Sequence, residues 1–258
     1  MMATKAKRRF GQNFLQDPQI IDQIVACIQP NPEQSLIEIG PGRGALTKPL
    51  ATLRSDLIVI ELDRDLIPKL QAFLPATATV RQGDVLDFDF AEFPGDLWIV
   101  GNLPYNISTP LLFRLFALGQ RIKSMIFMLQ KEVVNRLAAV PNHKDYGRLT
   151  VMAQYHCHIE KLLDVPPTAF DPAPKVDSAV VSLQPHQRPN IEADDLSILS
   201  ELLTAAFGQR RKTLKNSLAN LISASALEDL GINPSARAET LSVTDFVRCA
   251  NVVSRNRL

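Results

Sequence analysis

Residues 35–45 read Ser35-Leu36-Ile37-Glu38-Ile39-Gly40-Pro41-Gly42-Arg43-Gly44-Ala45. An apolar run with the character of a buried strand stops at a glycine cluster, and a helical pattern follows over 45–53. Glycines permit positive φ and let a ligand approach the backbone closely. Gly40, Gly42 and Ala45 also satisfy the dinucleotide fingerprint G-x-G-x-x-G/A, and Glu61 ends the next strand-like run about 20 residues on, where ribose hydroxyls are bound. Two cofactors fit this pattern. A nicotinamide dinucleotide would set its pyrophosphate at the helix N-terminus; S-adenosylmethionine needs a ribose acceptor, an adenine slot and room for an amino-acid tail.

Working outward, strand-like runs at 35–39, 57–61, 78–81, 97–100 and 125–129 alternate with helical patterns at 45–53, 66–74, 110–118 and 131–139. Such alternation predicts βαβ units and a parallel sheet covered on both faces. Upstream, Asp17-Pro18 offers an N-cap and a first-turn proline to a helix whose apolar face is Ile20, Ile21, Ile24, Val25 and Ile28. Downstream, 147–155 reads as another helix. The stretch from Leu162 through Ser178-Ala179-Val180-Val181 reads as two strands joined by a proline-stiffened loop, a hairpin that could close the sheet. Residues 184–190 carry two prolines and read as a linker, after which only helical patterns remain, at 196–207, 214–222 and 244–253. The expected organisation is an α/β domain over 1–187 and a small all-α domain over 188–258.

Of the 258 residues, 46% are hydrophobic and 21% charged, the proportions of an ordinary soluble domain with a sizeable core. No apolar run approaches the ~20 residues of a membrane span, and the basic start is not followed by a signal-type apolar stretch. A cytoplasmic protein is expected. Cys27, Cys157 and Cys249 are odd in number and far apart, so neither a disulfide framework nor a CxxC pair is indicated. His156-Cys157-His158 superficially suggests zinc, but adjacent residues do not easily share one ion and no CxxC or HxxxH partner lies near, so no metal is expected. The net charge of +1 argues against a uniformly basic nucleic-acid binder. It conceals two basic blocks, Lys5 with Lys7, Arg8 and Arg9, and Arg210, Arg211, Lys212 and Lys215, around an acidic stretch at 84–96.

Asn102-Leu103-Pro104-Tyr105 follows the fourth strand-like run, at the strand end where α/β sheets bind ligands. Asn102 brings an amide acceptor, Pro104 stiffens the turn, and Tyr105 adds a flat ring, parts that suit a planar base carrying an exocyclic amine. Asp84, after the third run, can accept from an adenine amino group, or cap its own turn. A glycine cluster, two acids and this tetrapeptide thus occur in order at four successive strand ends.

With these motifs go Arg9-Phe10-Gly11-Gln12-Asn13-Phe14-Leu15, the segment 166–178 with Phe170, Pro172, Pro174 and Val176-Asp177-Ser178, and Phe207-Gly208-Gln209-Arg210-Arg211-Lys212-Thr213-Leu214-Lys215-Asn216. Together they resemble the ribosomal RNA adenine N6-dimethyltransferases, of the bacterial small-subunit type, nearly end to end. The resemblance implies a Rossmann-like S-adenosylmethionine-dependent methyltransferase domain followed by a helical domain that contacts RNA or ribosome. It implies S-adenosylmethionine held by Asn13, Leu15, Gly40, Glu61, Asp84 and Asn102. The implied reaction is dimethylation of N6 on two adjacent adenosines in the hairpin loop near the 3′ end of 16S rRNA, within the 30S particle, by a monomer that serves small-subunit biogenesis.

Adenine N6 is a poor nucleophile because its lone pair is delocalised into the ring. Asn102 Oδ1 and the Leu103 carbonyl are expected to accept the two N6 hydrogens, with Tyr105 and Phe170 stacking on opposite faces of the base. Lys7, Arg8, Arg9, Arg210, Arg211, Lys212 and Lys215 are expected to contact phosphates. The near-neutral charge departs from the family's usual basic character and bears on docking strength. Two other readings share these motifs: the large-subunit rRNA adenine methyltransferases of macrolide resistance, and a particle-binding assembly factor. The segments 166–178 and 207–216 favour the small-subunit type.

Overall fold

Asp17 accepts hydrogen bonds from the Gln19 and Ile20 amides at 2.9 and 3.3 Å, so the first helix starts where its cap and proline predict. The computed structural model describes residues 12–209 and 211–257. In chain order its elements are β1 (Phe14–Leu15), α1 (Pro18–Ala26), β2 (Ser35–Ile39), α2 (Thr47–Leu53), β3 (Ile58–Glu61), α3 (Ile67–Gln71), β4 (Thr79–Gln82), β5 (Leu97–Asn102), α4 (Ser108–Phe116), β6 (Ile122–Gln130) and α5 (Lys131–Leu137). There follow α6 (Arg148–His156), β7 (Cys157–Val165), β8 (Phe170–Asp171), β9 (Ser178–Pro185), α7 (Leu196–Phe207), α8 (Leu214–Ser217), α9 (Ala224–Asp229) and α10 (Val243–Arg255).

Seven strands form one sheet in the order β4-β3-β2-β5-β6-β9-β7. Pairing is parallel from β4 through β6 and antiparallel between β6 and β9. The order reverses direction between β2 and β5, which makes their carboxyl ends a topological switch point, the place where open α/β sheets bind ligands. On one sheet face Leu36, Val59, Val100, Ile126, Met128 and Val180 pack with Ile20, Ile24 and Ile28 from α1 and its end and with Leu50 of α2 in one buried cluster. The predicted pair of strands around the proline-rich loop is present as β7 and β9, and the loop adds β8, which pairs antiparallel with β1.

The chain separates into two compact units. One holds the described residues up to Val134 together with His158–Pro185; the other holds Asn135–Cys157 and the described residues from His186 onward. This differs from a single cut at 187. The helix α6, expected in the α/β domain, packs with α7 and α10. Tyr146, just before α6, donates to the Leu241 carbonyl at 2.9 Å, tying the segment to the C-terminal helices. In that unit Asp195 caps α7, and Ser242 with Asp245 forms a capping box on α10. The expected helix at 214–222 shrinks to α8, and Ser223, whose hydroxyl accepts from the Ala226 amide at 3.1 Å, starts the unforeseen α9.

Strands β2 and β5 approach so closely at their carboxyl ends that a Cβ on Gly101 would collide with the Ile39 carbonyl oxygen and meet Leu103 Cδ2 at 3.2 Å. Gly101→Ala is therefore expected to force the two strands apart, costing ~1–3 kcal/mol as overpacking does, measurable as a lowered midpoint in urea denaturation.

Candidate active site

The turn after β2 holds Gly40 at φ +65 and Gly42 at φ +57, conformations that favour glycine. Space is the second constraint at Gly42, where a Cβ would come within 3.1 Å of the Phe14 ring. The Gly42 amide donates to Glu61 Oε2 at 3.1 Å, and the Asp63 amide donates to Glu61 Oε1 at 2.8 Å. Glu61 is thereby aimed at the turn from the end of β3. Its burial raises its pKa, a tendency the two amide donors oppose.

A cavity of about 350 Å³ opens over these strand ends. It is lined by Asn13 and Leu15 from the N-terminal segment, Gly40 from the glycine turn, Glu61 after β3, Asp84 after β4 and Asn102 at the end of β5. Leu103 and Tyr105 also line it. The volume lies in the range of small-molecule sites, and the wall carries carboxylates and amides beside open glycine backbone. Carboxylates that accept from hydroxyls and amines, next to a glycine-rich turn, fit an adenosine-bearing ligand. Asp84 also accepts from the Leu86 amide at 2.9 Å, so the acid that faces the cavity braces its own turn as well.

At the other wall, Asn102 Nδ2 donates to the Asn13 carbonyl at 3.1 Å. With its nitrogen committed to that acceptor, the amide presents its oxygen as the remaining acceptor. The Leu103 amide is satisfied by the Met128 carbonyl at 3.2 Å, and the buried Leu103 side chain fixes the turn. Tyr105 is held at two points: its hydroxyl shares a 2.8 Å hydrogen bond with Ser178 Oγ, and its carbonyl accepts from Ser108 Oγ at 3.0 Å. Ser178 is wholly buried at the start of β9.

The model of one family, described as ribosomal RNA adenine dimethylase, matches residues 3–255. The chain belongs to that family. Among its relatives, a protein from Vibrio parahaemolyticus named ribosomal RNA small subunit methyltransferase A is 54% identical over 257 residues, covering 98% of this chain and 96% of that one. The Salmonella typhimurium protein of the same name is 52% identical, covering 97% and 94%. Among solved structures, a dimethyladenosine transferase from Plasmodium falciparum superposes with a TM-score of 0.83 at 26% identity, over 95% of this chain and 98% of that one. The 23S rRNA methyltransferase ErmE superposes with a TM-score of 0.74 at 25% identity, over 94% and 100%. The fold of the dimethylase is the Rossmann-like α/β fold of S-adenosylmethionine-dependent methyltransferases.

The dimethylase thus gathers six expected cofactor residues, Leu103 and Tyr105 around one cavity. Phe170 is placed apart from these. Only 3% exposed, it does not line the cavity and packs in the core cluster with Leu15, its cross-strand partner. In the β1 to β8 pairing it stands opposite Leu15, which does line the cavity. Lys7, Arg8, Arg9 and Arg210 lie outside the described residues; Arg211, Lys212 and Lys215 are exposed on the helical unit. No helix among the described residues is long and apolar enough to cross a membrane, and none of their acidic, histidine and cysteine side chains group as metal ligands.

Three residues stand inside the quoted motifs but make contacts that the motifs do not show. Ser178 meets Tyr105 across 73 residues, so only the sheet reveals the contact. Arg43 bonds Asp171 at 2.7 Å and lies 4.1 Å from the Phe14 ring centroid, clasping the glycine turn to both β1 and β8. Glu38 is the third: buried on β2 and lining the cavity, it has a pKa pushed up to about 8, first by burial and also by Glu61, with Thr47 opposing. An acid inside the apolar run Leu36-Ile37-Glu38-Ile39 was the available signal.

Two outcomes are expected. A carboxyl whose folded pKa exceeds its unfolded value makes no difference to stability at pH values below both, and destabilises progressively as pH rises from 4.5 to about 8. Denaturation at pH 5 and pH 8 should show the wild type losing on the order of a few kcal/mol more than Glu38→Gln across that range. Ser178→Ala removes one hydrogen bond from Tyr105, worth ~0.5–1.5 kcal/mol. Steady-state methyl transfer should fall by up to about tenfold in kcat/KM, with Ser178→Thr restoring part of it.

Proposed function

We propose that the chain transfers methyl groups from S-adenosylmethionine to N6 of two adjacent adenosines, in the hairpin loop near the 3′ end of 16S rRNA within the 30S particle. The observation that carries this reading is the Asn102 amide, whose nitrogen is anchored on the Asn13 carbonyl and whose oxygen is left to accept at the cavity wall. Asn13, Leu15, Gly40, Glu61, Asp84 and Asn102 would hold the cofactor, which when bound supplies a methyl group activated by its sulfonium charge. Glu61 would take the ribose hydroxyls and Asp84 the adenine amine.

Asn102 Oδ1 and the Leu103 carbonyl would accept the two N6 hydrogens of the target. Two acceptors in fixed positions withdraw the amine from conjugation with its ring and favour a pyramidal nitrogen, whose lone pair then points away from both. A preorganised polar contact to the transition state is worth a few kcal/mol, on the scale of the ~3–4 kcal/mol lost with one oxyanion-hole donor. Tyr105, its ring tethered by Ser178, would stack on one face of the base, a contact worth ~1–3 kcal/mol. A loop adenosine is cheap to unstack, which suits a site that needs the base extruded. No strong base is required, since the ammonium formed is acidic enough to lose its proton to water.

Arg211, Lys212 and Lys215, with Arg210 and Lys7 to Arg9, would contact rRNA phosphates and set the register of the particle without reading its sequence. The work is assigned to a monomer in the cytoplasm, where ribosomal particles mature. Identity of 52–54% over nearly the full chain to proteins named for the small subunit, against 25% to ErmE, favours the small-subunit substrate.

Asn102→Ala should lower formation of dimethyladenosine by at least about 100-fold, the effect of deleting one preorganised transition-state contact, while the variant still cosediments with unmethylated small subunits. Mass spectrometry of digested 16S rRNA after incubation with S-adenosylmethionine provides the check. Wild-type protein that leaves a competent, unmodified particle free of dimethyladenosine would refute the reading.

A further inference from the structure

Glu38 is the one buried acid at the cavity to which the reaction scheme assigns no part. It stands on the central strand β2, directly between Val59 of β3 and Val100 of β5, and Val100 in turn pairs with Ile126 of β6. An acid therefore occupies the middle of an otherwise aliphatic rung. The residue is 2% exposed, and its Oε2 has no hydrogen-bond partner. The Thr47 hydroxyl stands on the adjoining helix without meeting hydrogen-bond geometry, and it too lacks a partner.

The charges around it do not favour a carboxylate. Glu61, at the end of the neighbouring strand, opposes a second negative charge. Arg43 lines the same cavity but directs its guanidinium to Asp171 and the Phe14 ring. Asp84, the remaining charged wall residue among the described ones, is another acid. A buried carboxylate with one oxygen unpartnered and a second acid beside it costs several kcal/mol, so the group stays protonated until a cation arrives. The ligand proposed for this cavity carries one: its sulfonium is a fixed positive charge that cannot be neutralised by losing a proton.

We infer that Glu38 is the proton-exchanging group of the cofactor site, a neutral acid before binding that releases its proton to solvent when the sulfonium cofactor enters, leaving a carboxylate against the new positive charge. The exchange balances: one cation enters the site, one proton leaves to buffer, and the net charge of the cavity is unchanged. This rests on the S-adenosylmethionine reading above. Its consequence is that affinity for the cofactor rises with pH through the range where the free acid would otherwise hold its proton.

The test is isothermal titration of the full chain with S-adenosylmethionine, without RNA, in phosphate and in Tris, whose heats of ionisation differ widely. At pH 7 the wild type should release about one proton per cofactor bound, and between pH 6 and 7 its Kd should fall about tenfold. Glu38→Gln, which mimics the neutral acid and should fold, is expected to bind with no such release and a flat pH profile. Equal release by Glu38→Gln would move the exchange to Glu61 and overturn the inference, as would a wild type that binds with no proton release. If Glu38→Gln binds too weakly to titrate, Glu38→Asp decides: proton release with a displaced pH midpoint supports the inference, and its absence refutes it. A wild type that does not bind the cofactor would sink the cofactor reading and the inference with it, an outcome distinct from binding without proton release.

Discussion

Strands β2 and β5 can converge at their carboxyl ends only because residue 101 has no side chain: the space a Cβ would need is already taken by the Ile39 carbonyl. The Asn102 carbonyl consequently comes within 3.7 Å of where a Cβ on Gly40 would stand. Two halves of a site, one built from a glycine turn and the other from Asn-Leu-Pro-Tyr, are joined by that contact across more than 60 residues of sequence. The neighbouring strand ends add Glu61 and Asp84, and the parallel pairing keeps all four on one side of the sheet.

Much of this was legible because parallel α/β sheets use a one-dimensional code. A run of Leu36, Ile37 and Ile39, or of Leu97, Ile99 and Val100, can be seen without a structure, and a functional group just beyond such a run is placed by topology alone. The parallel sheet and the residues at its strand ends followed from this; the order of the strands did not. What was not legible depends on pairings between distant segments. Phe170 has the setting of an exposed recognition aromatic, between Ala169 and Asp171 in a proline-rich loop. It nevertheless pairs antiparallel with Leu15 and packs in the core. No local pattern contains that information.

The helical unit shows a different limit. The apolar spacing of Leu214, Leu218, Leu221 and Ile222 continues through a stretch where the backbone has left the helix, and Ser223 begins a new one by capping it. Periodicity reports which side chains are buried; it does not report where the hydrogen-bond ladder stops. The same blindness set the expected boundary at 187, since the chain leaves the first unit at 135, builds α6 among the C-terminal helices and returns at 158. A local reading sees continuous alternation there and has no reason to divide it.

The pairing of β1 with β8 bears on how the molecule is made. Residues 12–15 form one wall of the cavity, and they are held by Phe170 and Asp171 and by the clasp of Arg43 on Asp171. During synthesis the glycine turn, Glu61, Asp84 and Asn102 all emerge well before the strand that secures this wall. A nascent chain stopped short of residue 171 would carry nearly every residue that lines the cavity and lack the strand that pairs with Phe14 and Leu15. Domains complete their contacts only as the last required segment leaves the ribosome. The enzyme's binding site is therefore assembled late, after more than 60 further residues have followed Asn102 out of the exit tunnel.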